Sequence, residues 1–322
     1  MATVSVIIPV YNTAEYLEAC LISVQHQTFA DFEAIVVNDG STDNSAEIVE
    51  EFIKRDERFT LLSQENAGLS EARNAGLQKV SAPWITFVDS DDMIAPTFLE
   101  TLLKASQDSD AEIICCGSNS FTELPAKIPG NRSKSIQKIW SPEDALIQAL
   151  YQDRIPDHSA WNKLYSARLW KDVRFPRGKY FEDLCTIPQI FLSAKEIRSV
   201  SLPLYLYRKR ETSILNSAYN LKKAELLDIA ENLCTTITEK IRNPKLLRAA
   251  KNMLISTSYS ILKRTPDTDE FQDYRNRAWN HIKELRLQNL LDFKVRLRNK
   301  VANVISFGGR DVLQKMLRRD EK

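Results

Sequence analysis

The sequence predicts an α/β fold: a doubly wound, mostly parallel sheet followed by a helical C-terminal region. Three observations carry that prediction. Short apolar runs rich in β-branched residues recur through the first 115 residues, each followed by a segment of helical periodicity. Several runs end in polar clusters, above all Asp39-Gly40-Ser41-Thr42-Asp43 and Asp89-Ser90-Asp91-Asp92. From about residue 218 onward nearly every segment has helical spacing instead. Strands buried on both faces and joined by helices build parallel sheets, which bind ligands at the carboxyl ends of their strands.

The elements follow in order. The run from Val4 to Val10 reads as a buried strand, ended by Pro9 and Asn12, with a helix expected over 14–27. A second strand is predicted over 32–38, where the 39–43 cluster makes a turn and caps the next helix. A third strand over 59–63 leads through Asn66-Ala67-Gly68 to a helix over 70–80. The fourth strand, 84–88, releases Asp89 and Asp91 at its carboxyl end. Two carboxylates one residue apart can share a hard divalent cation with a diphosphate, although Asp-Ser-Asp-Asp also suits a turn before a helix starting near Pro96. A fifth strand is expected over 112–116, and 117–140, with Pro125, Pro129 and Gly130, reads as irregular. Ser141-Pro142-Glu143-Asp144 combines an N-cap, a first-turn proline and first-turn acids. A helical pattern opens at Glu182-Asp183, short strands are expected over 197–201 and 204–207, and helices over 218–241, 244–263 and 268–290.

Composition narrows the function classes. With 43% hydrophobic and 27% charged residues and a net charge of +1, the 322 residues read as an ordinary soluble chain. No stretch has the apolar length of a membrane span and no basic-then-apolar leader is evident, so a cytoplasmic enzyme is expected. Five cysteines without C-x-x-C spacing read as reduced core residues, and three scattered histidines argue against a His-based metal site. Charge is uneven: residues 283–319 carry ten basic against three acidic side chains, a net +7, leaving the first 282 residues at −5.

Four blocks occur in order at strand ends: Ser5-Val6-Ile7-Ile8-Pro9-Val10-Tyr11-Asn12, Val37 to Asp43, Glu65 to Asn74, and Phe87-Val88-Asp89-Ser90-Asp91-Asp92. Together they resemble a family 2 glycosyltransferase with the GT-A fold, of the bacterial surface-polysaccharide type, tightly over about 115 residues and loosely to about 215. The resemblance implies a nucleotide-sugar-binding half over 1–115, an acceptor and catalytic-base half over 116–215, and a helical region over 216–322. It also implies a UDP-sugar donor, Mn²⁺ or Mg²⁺ as cofactor, and an oligosaccharide or lipid-linked glycan acceptor. Pro9, Val10, Tyr11 and Asn12 would flank the nucleobase with Asn66 nearby, and Asp39 would accept the N3–H of uracil. Asp39 as a helix cap is the alternative, a job open to Asp43 or Ser41. Arg73 would clamp the diphosphate, unless it forms only a surface pair on its helix. Asp89 and Ser90 would meet the ribose or lie just behind it, Asp91 would ligate the cation with Asp89 beside it, and Asp92 would orient the loop or face water.

The pair Glu182-Asp183 resembles the motif that supplies the family's base. Asp183 is then expected to take the acceptor proton in an inverting transfer, with Glu182 holding the acceptor or the loop; two acids at a helix start also complement the helix dipole. Trp161-Asn162-Lys163 resembles a further family block, in which Trp161 either stacks on a sugar or packs in the core. Arg208 and Arg210 either close over the diphosphate or form a solvated loop. No late histidine completes the metal set, and His158 is a weak stand-in.

Leu285, Leu287, Leu290, Leu291, Phe293, Val295, Leu297, Val301, Val304 and Ile305 interleave with the basic residues of the C-terminal segment. That pattern reads as a helix lying on an anionic membrane, the alternative being a helix packed on its own domain or pairing two chains as a homodimer. Nucleic acid is not expected as a partner, because the body is acidic and no recognition motif is present. Two rivals remain: a sugar nucleotidyltransferase, which should carry a Gly-rich loop where this chain has Pro9-Val10-Tyr11-Asn12, and a sugar-nucleotide or glycan-binding protein without turnover.

Overall fold

The computed structural model describes residues 2–124, 137–151, 155–210 and 218–319. The chain divides into two compact units, residues 1–146 with 154–213 and residues 147–153 with 214–322.

The first unit opens with β1 (Val4–Val10), α1 (Ala14–Gln25), β2 (Phe32–Asp39), α2 (Ser45–Ile53), β3 (Phe59–Gln64), α3 (Leu69–Lys79) and β4 (Trp84–Phe87). It continues with β5 (Met93–Ile94), α4 (Phe98–Ser106), β6 (Ala111–Phe121), β7 (Gln137–Trp140), α5 (Pro142–Leu150, whose residues 147–150 count with the second unit), β8 (Lys163–Ser166), α6 (Glu182–Ser193) and β9 (Glu196–Arg208). The nine strands among the described residues join one mixed sheet in the order β3-β2-β1-β4-β8-β6-β9-β5, with β7 also on β9. The β3-β2-β1-β4 stretch is wholly parallel. β8 then enters antiparallel between β4 and β6.

Every residue of β1 is buried, because helices cover both faces of the sheet. Val4, Val6, Ile8 and Val10 join Leu17, Leu21 and Val24 of α1, Val49 and Phe52 of α2 and Phe98 and Leu102 of α4 in one apolar cluster. Ile35 and Val37 of β2 meet Ala72 of α3 in another. The parallel strands all deliver their carboxyl ends, and with them Asn12, Asp39 and Asp89, to one rim.

Several expectations change. The two short strands expected over 197–201 and 204–207 are one: β9 runs through Pro203, which sits where register shifts opposite Cys116 and Gly117 interrupt the ladder. The region read as irregular carries β6 as far as Phe121 and β7 from Gln137; its residues 125–136 lie outside the described residues. Trp161 sits in the turn before β8, not in a helix.

The second unit is helical: α7 (Leu221–Ala224), α8 (Leu226–Thr236), α9 (Pro244–Arg264), α10 (Gln272–Leu291), α11 (Leu297–Ile305) and α12 (Arg310–Arg319). Asn243 caps α9 by accepting from Lys245 and Leu246 N–H, with Pro244 at the first helical position. The C-terminal stripe is not one helix. It breaks between α10 and α11, and Leu285 and Val295 turn inward while Leu287, Leu291, Phe293 and Leu297 stay exposed.

Gly76 of α3 lies against β1: a Cβ there would stand 2.5 Å from Ile7 Cγ2, a rigid and fully buried side chain. Gly76→Ala would gain up to about 1 kcal/mol of helix propensity and lose about 1–3 kcal/mol to overpacking. Net destabilisation is expected, read as a lowered urea midpoint; an unchanged or raised midpoint would show that α3 can shift off β1 freely.

Candidate active site

The Asp89–Asp92 loop is held from several sides by groups far away in sequence. Asp89 N–H donates to the Tyr205 hydroxyl (3.1 Å), which donates to Asp92 Oδ2 (2.8 Å). Arg208 N–H donates to Asp92 Oδ1 (2.7 Å) and Arg208 Nε to the Asp91 carbonyl (2.8 Å). Thr13 Oγ1 donates to Ser90 Oγ (2.9 Å). Asp92 is therefore a buried tie within the loop, and burial with its Asp89 and Asp91 neighbours raises its carboxyl well above the usual range. Asp89 and Asp91 keep some exposure, 23% and 15% of their side chains.

Arg73 joins this rim to the second carboxylate pair. Its side chain is 1% exposed, with Nη2 on Asp89 Oδ1 (2.9 Å) and Nη1 on both Glu182 Oε1 (2.7 Å) and Asp183 Oδ1 (2.9 Å). The guanidinium lies 5.2 Å from the Phe175 ring centre. The next residue, Asn74, makes a two-bond clip to the Phe175 backbone, Nδ2 to its carbonyl and Oδ1 from its N–H, both 2.9 Å. The dipeptide Arg73-Asn74 thus docks the 175–183 segment on α3. Phe181, at φ 57°, turns the chain sharply into α6 so that both acids stand in its first turn. Asp183 Oδ2 accepts from Ala160 N–H at 3.0 Å.

One cation facing three carboxylates leaves excess negative charge in a poorly solvated place. Burial and the adjacent Asp183 push Glu182 up to about 7. Burial also raises Asp183 above its ordinary value, with Arg73 and the Ala160 N–H opposing. Burial works against the charge on Arg73, but Asp183, Asp89 and Glu182 outweigh it and hold the guanidinium protonated. A carboxylate with a raised pKa is a stronger base, which suits proton abstraction.

At the far end of the rim, Asp39 is 2% exposed. Its Oδ1 accepts from Gln64 Nε2 (2.7 Å) and Ala67 N–H (2.9 Å), its Oδ2 from Gly68 N–H (2.8 Å). The cap at α2 falls to Asp43, which accepts from Ser45 N–H and Ala14 N–H, both at 3.0 Å. Pro9 and Val10 are buried, whereas Tyr11 is 49% exposed and Asn66 also faces outward. Asn12, in the left-handed region, accepts from Thr42 N–H (2.8 Å) and donates its N–H to Ser41 Oγ (3.1 Å), joining the β1 and β2 loops.

Other sequence candidates take different places. Lys163 is fully buried, and its Nζ donates to Asp157 Oδ1 (2.6 Å), Asn162 Oδ1 (2.7 Å) and the Ser159 carbonyl (2.8 Å), so it folds the 157–162 turn that presents Ala160 to Asp183. Trp161 stacks on Tyr205 (centroids 4.6 Å apart) and on Tyr207 (5.5 Å), bracing the tyrosine that ties the aspartate loop. His158 lies close enough to Asp157 and Asp183 to favour their ionised forms. Arg208 is buried between the Phe121 and Tyr16 rings, and Arg210 places Nε 2.6 Å from Asp91 Oδ2. Tyr205 and Thr13 carry no sequence signal beyond their element, and Asn74 closes the Glu65–Asn74 block without a role of its own there.

Among the described residues no three His, Cys, Asp or Glu side chains form a metal cage. Asp89 and Asp91 nonetheless offer two hard carboxylates from one loop, and Asp89 Oδ2 accepts no hydrogen bond there. That donor set fits Mg²⁺ or Mn²⁺ only if substrate phosphates and water complete the shell, a habit of these ions.

A family model, Glycosyl transferase family 2, matches residues 5–174. The chain belongs to glycosyl transferase family 2. Family 2 relatives include GlyG of Streptococcus pneumoniae, 32% identical over 84% of this chain and 93% of its own length. GlyA of the same organism is 39% identical over 66% of this chain, but the match spans only 31% of GlyA. Among solved structures, TarS 1-349 of S. aureus in complex with UDP-GlcNAc aligns over 100% of this chain and 91% of its own, with a TM-score of 0.68 at 22% identity. The Pyrobaculum calidifontis mannosyltransferase PcManGT in complex with GDP-Man and Mn²⁺ aligns over 99% of this chain and 88% of its own, with a TM-score of 0.53 at 16% identity. These likenesses establish the GT-A architecture, and the chain is a glycosyltransferase by family.

Glu182 supplies a pH test. Its pKa rises from 4.5 to about 7 on folding, so in that window the folded protein holds a proton that the unfolded chain releases. Stability should therefore fall as pH rises from about 4.5 to about 7 and level off above. Glu182→Gln, neutral throughout, should match wild type near about pH 4.5 and exceed it by up to about 3 kcal/mol near about pH 8 in urea unfolding. Parallel stability curves for the two proteins would contradict the assignment.

Proposed function

We propose that this family 2 member is an inverting, cation-dependent transferase that moves a hexose or N-acetylhexosamine from a UDP-sugar to a glycan acceptor. The observation that carries this reading is the Arg73 bridge, which brings Asp89 at the donor rim and Asp183 at the start of α6 onto one guanidinium. A site with phosphate-side carboxylates and a basic carboxylate a few ångströms apart suits a direct displacement. The uridine reading is supported by Asp39, held as an acceptor-only group, and by the exposed Tyr11 ring; the name of the TarS complex, with UDP-GlcNAc, is in keeping with it.

In that reaction the acceptor hydroxyl oxygen attacks the anomeric carbon, the bond from that carbon to the diphosphate oxygen breaks, and the hydroxyl proton passes to Asp183. Glu182, buried and holding a proton near neutral pH, limits repulsion beside Asp183. Asp91 and Asp89 would hold the Mg²⁺ or Mn²⁺ that offsets charge on the departing UDP. Arg210, now on Asp91, is placed to transfer to the diphosphate when a cation takes that carboxylate. We assign Arg73 the role of positioning both carboxylate sets, since its amino groups face protein acids and not the open rim. The acceptor is proposed to be a lipid-linked glycan of capsule, lipopolysaccharide or wall-polymer synthesis, met at the inner face of the plasma membrane. No helix among the described residues is long and apolar enough to cross a membrane.

Asp183→Asn should keep UDP affinity within about threefold and lower UDP-sugar turnover by about 10²–10⁴. Asp91→Ala should abolish the cation dependence of UDP binding. Both are read by calorimetry and by UDP release from a panel of UDP-sugars with Mn²⁺. Wild-type turnover in Asp183→Asn would remove it as the base.

A further inference from the structure

Helix α11 is built inside out. Its inward face is polar or small, with Asn299, Ala302 and Asn303 buried, and its outward face carries Leu297, Val301 and Val304 at 77%, 46% and 59% exposure. The rotation that would bury these aliphatics is blocked by side-chain hydrogen bonds. Asn303 accepts from Tyr259 (2.5 Å) and donates to Asn289 (2.7 Å), Asn289 donates to Asn252 (3.2 Å), and Asn299 donates to Ser256 (2.7 Å). Turning α11 would leave these buried amides without partners, which is the more expensive state. Just upstream, Leu291 and Phe293 are 86% and 84% exposed, the two most exposed large apolar side chains among the described residues.

The same face is cationic. Lys294, Arg296 and Arg298 are exposed among the apolar residues, whereas the one acid between positions 285 and 310, Asp292, is buried. Such a surface meeting a second copy of itself would set like charges against one another. Alternation of leucines and a phenylalanine with lysine and arginine instead suits the interface of an anionic bilayer, where apolar side chains enter the acyl boundary and cations stay among headgroups.

We propose that the end of α10, the 292–296 turn and α11 form a docking surface for an anionic lipid membrane, with Leu291, Phe293 and Leu297 as the inserting residues and Lys294, Arg296 and Arg298 as headgroup contacts. The proposal deepens the reading of a lipid-linked acceptor, but it is tested by binding alone, without turnover.

The full chain is floated with phosphatidylcholine vesicles, with and without roughly one-third phosphatidylglycerol. Binding is expected only with the anionic lipid and should weaken as salt is raised. Arg296→Gln/Arg298→Gln should weaken partitioning about 30-fold, because each surface cation contributes a factor of about five. Leu291→Glu/Phe293→Glu should abolish it; both pairs are exposed, so folding and UDP affinity should stay at wild-type values. Absence of wild-type binding, or equal binding by the variants, would overturn the proposal. So would concentration-dependent dimerisation lost in Leu291→Glu/Phe293→Glu without vesicle binding, which would assign the face to a second copy. If vesicles bind as expected while no UDP-sugar is turned over, the transferase reading fails and the docking surface stands.

Discussion

The interaction on which the site depends is the buried guanidinium of Arg73 with its three carboxylates. Glu182 lies 109 residues further along the chain, yet it shares one nitrogen of that guanidinium with Asp183 while the other nitrogen holds Asp89. A lone buried ion pair is often no more stabilising than apolar packing, but removing the one cation of a formed cluster leaves buried charge unpaired and costs about 3–5 kcal/mol. The arrangement therefore constrains more than it stabilises: the rim of the parallel sheet and the first turn of α6 cannot separate without exposing unpaired charge. Asn74 adds the steric register through its clip on Phe175, and Gly76 lets α3 lie close enough to β1 to present both residues.

Charge imbalance in that cluster links architecture to chemistry. Three acids against one cation cannot all be comfortable as anions with little water, so proton affinity rises on the α6 side, where Glu182 is most buried. The Asp89–Asp91 side remains partly open to solvent, where a cation and phosphates can balance it. Burial and Asp89 raise Asp91 as well, so the α6 acids and the Asp91 side both hold protons more tightly than free carboxylates. In the proposed mechanism the α6 acids and the Asp89–Asp91 pair are the acceptor and donor ends of a single displacement.

Much of the frame was legible because β1, β2 and β4 are buried on both faces and read as near-continuous apolar runs, whereas the edge strand β3 is partly exposed and is marked by its flanking turn residues. β8 was not, since its first residue is a lysine, and only the tertiary structure shows Lys163 buried among Asp157, Ser159 and Asn162. β5, with two residues, is too short to show a pattern, β7 (Gln-Lys-Ile-Trp) is mostly exposed and has no apolar run, and the bulge at Pro203 depends on its partner β6. At the site, the strand-end motifs pointed to Asp39, Arg73, Asp89, Asp91 and Asp183 one by one. Their mutual contacts were out of reach, because hydrogen bonding between α3 and the 175–183 segment leaves no local pattern. Arg73 is the instructive case: an arginine beside phosphate-binding motifs suggests a phosphate clamp, and only its burial reveals a partner set made of protein carboxylates. In the C-terminal segment, periodicity located the apolar residues but could not tell which of them face inward, since the buried asparagines of α11 reverse the usual pattern.

The most direct test is calorimetric titration of the wild-type chain with UDP and with GDP, each with and without Mn²⁺. A donor site built from Asp39, Tyr11 and the Asp89–Asp91 pair should bind UDP in a cation-dependent manner and bind GDP at least about tenfold more weakly, because the larger purine presents its N–H donors at other positions than uracil N3. Equal affinity for the two nucleotides, or UDP binding indifferent to Mn²⁺, would contradict the assignment of this rim as a uridine diphosphate site.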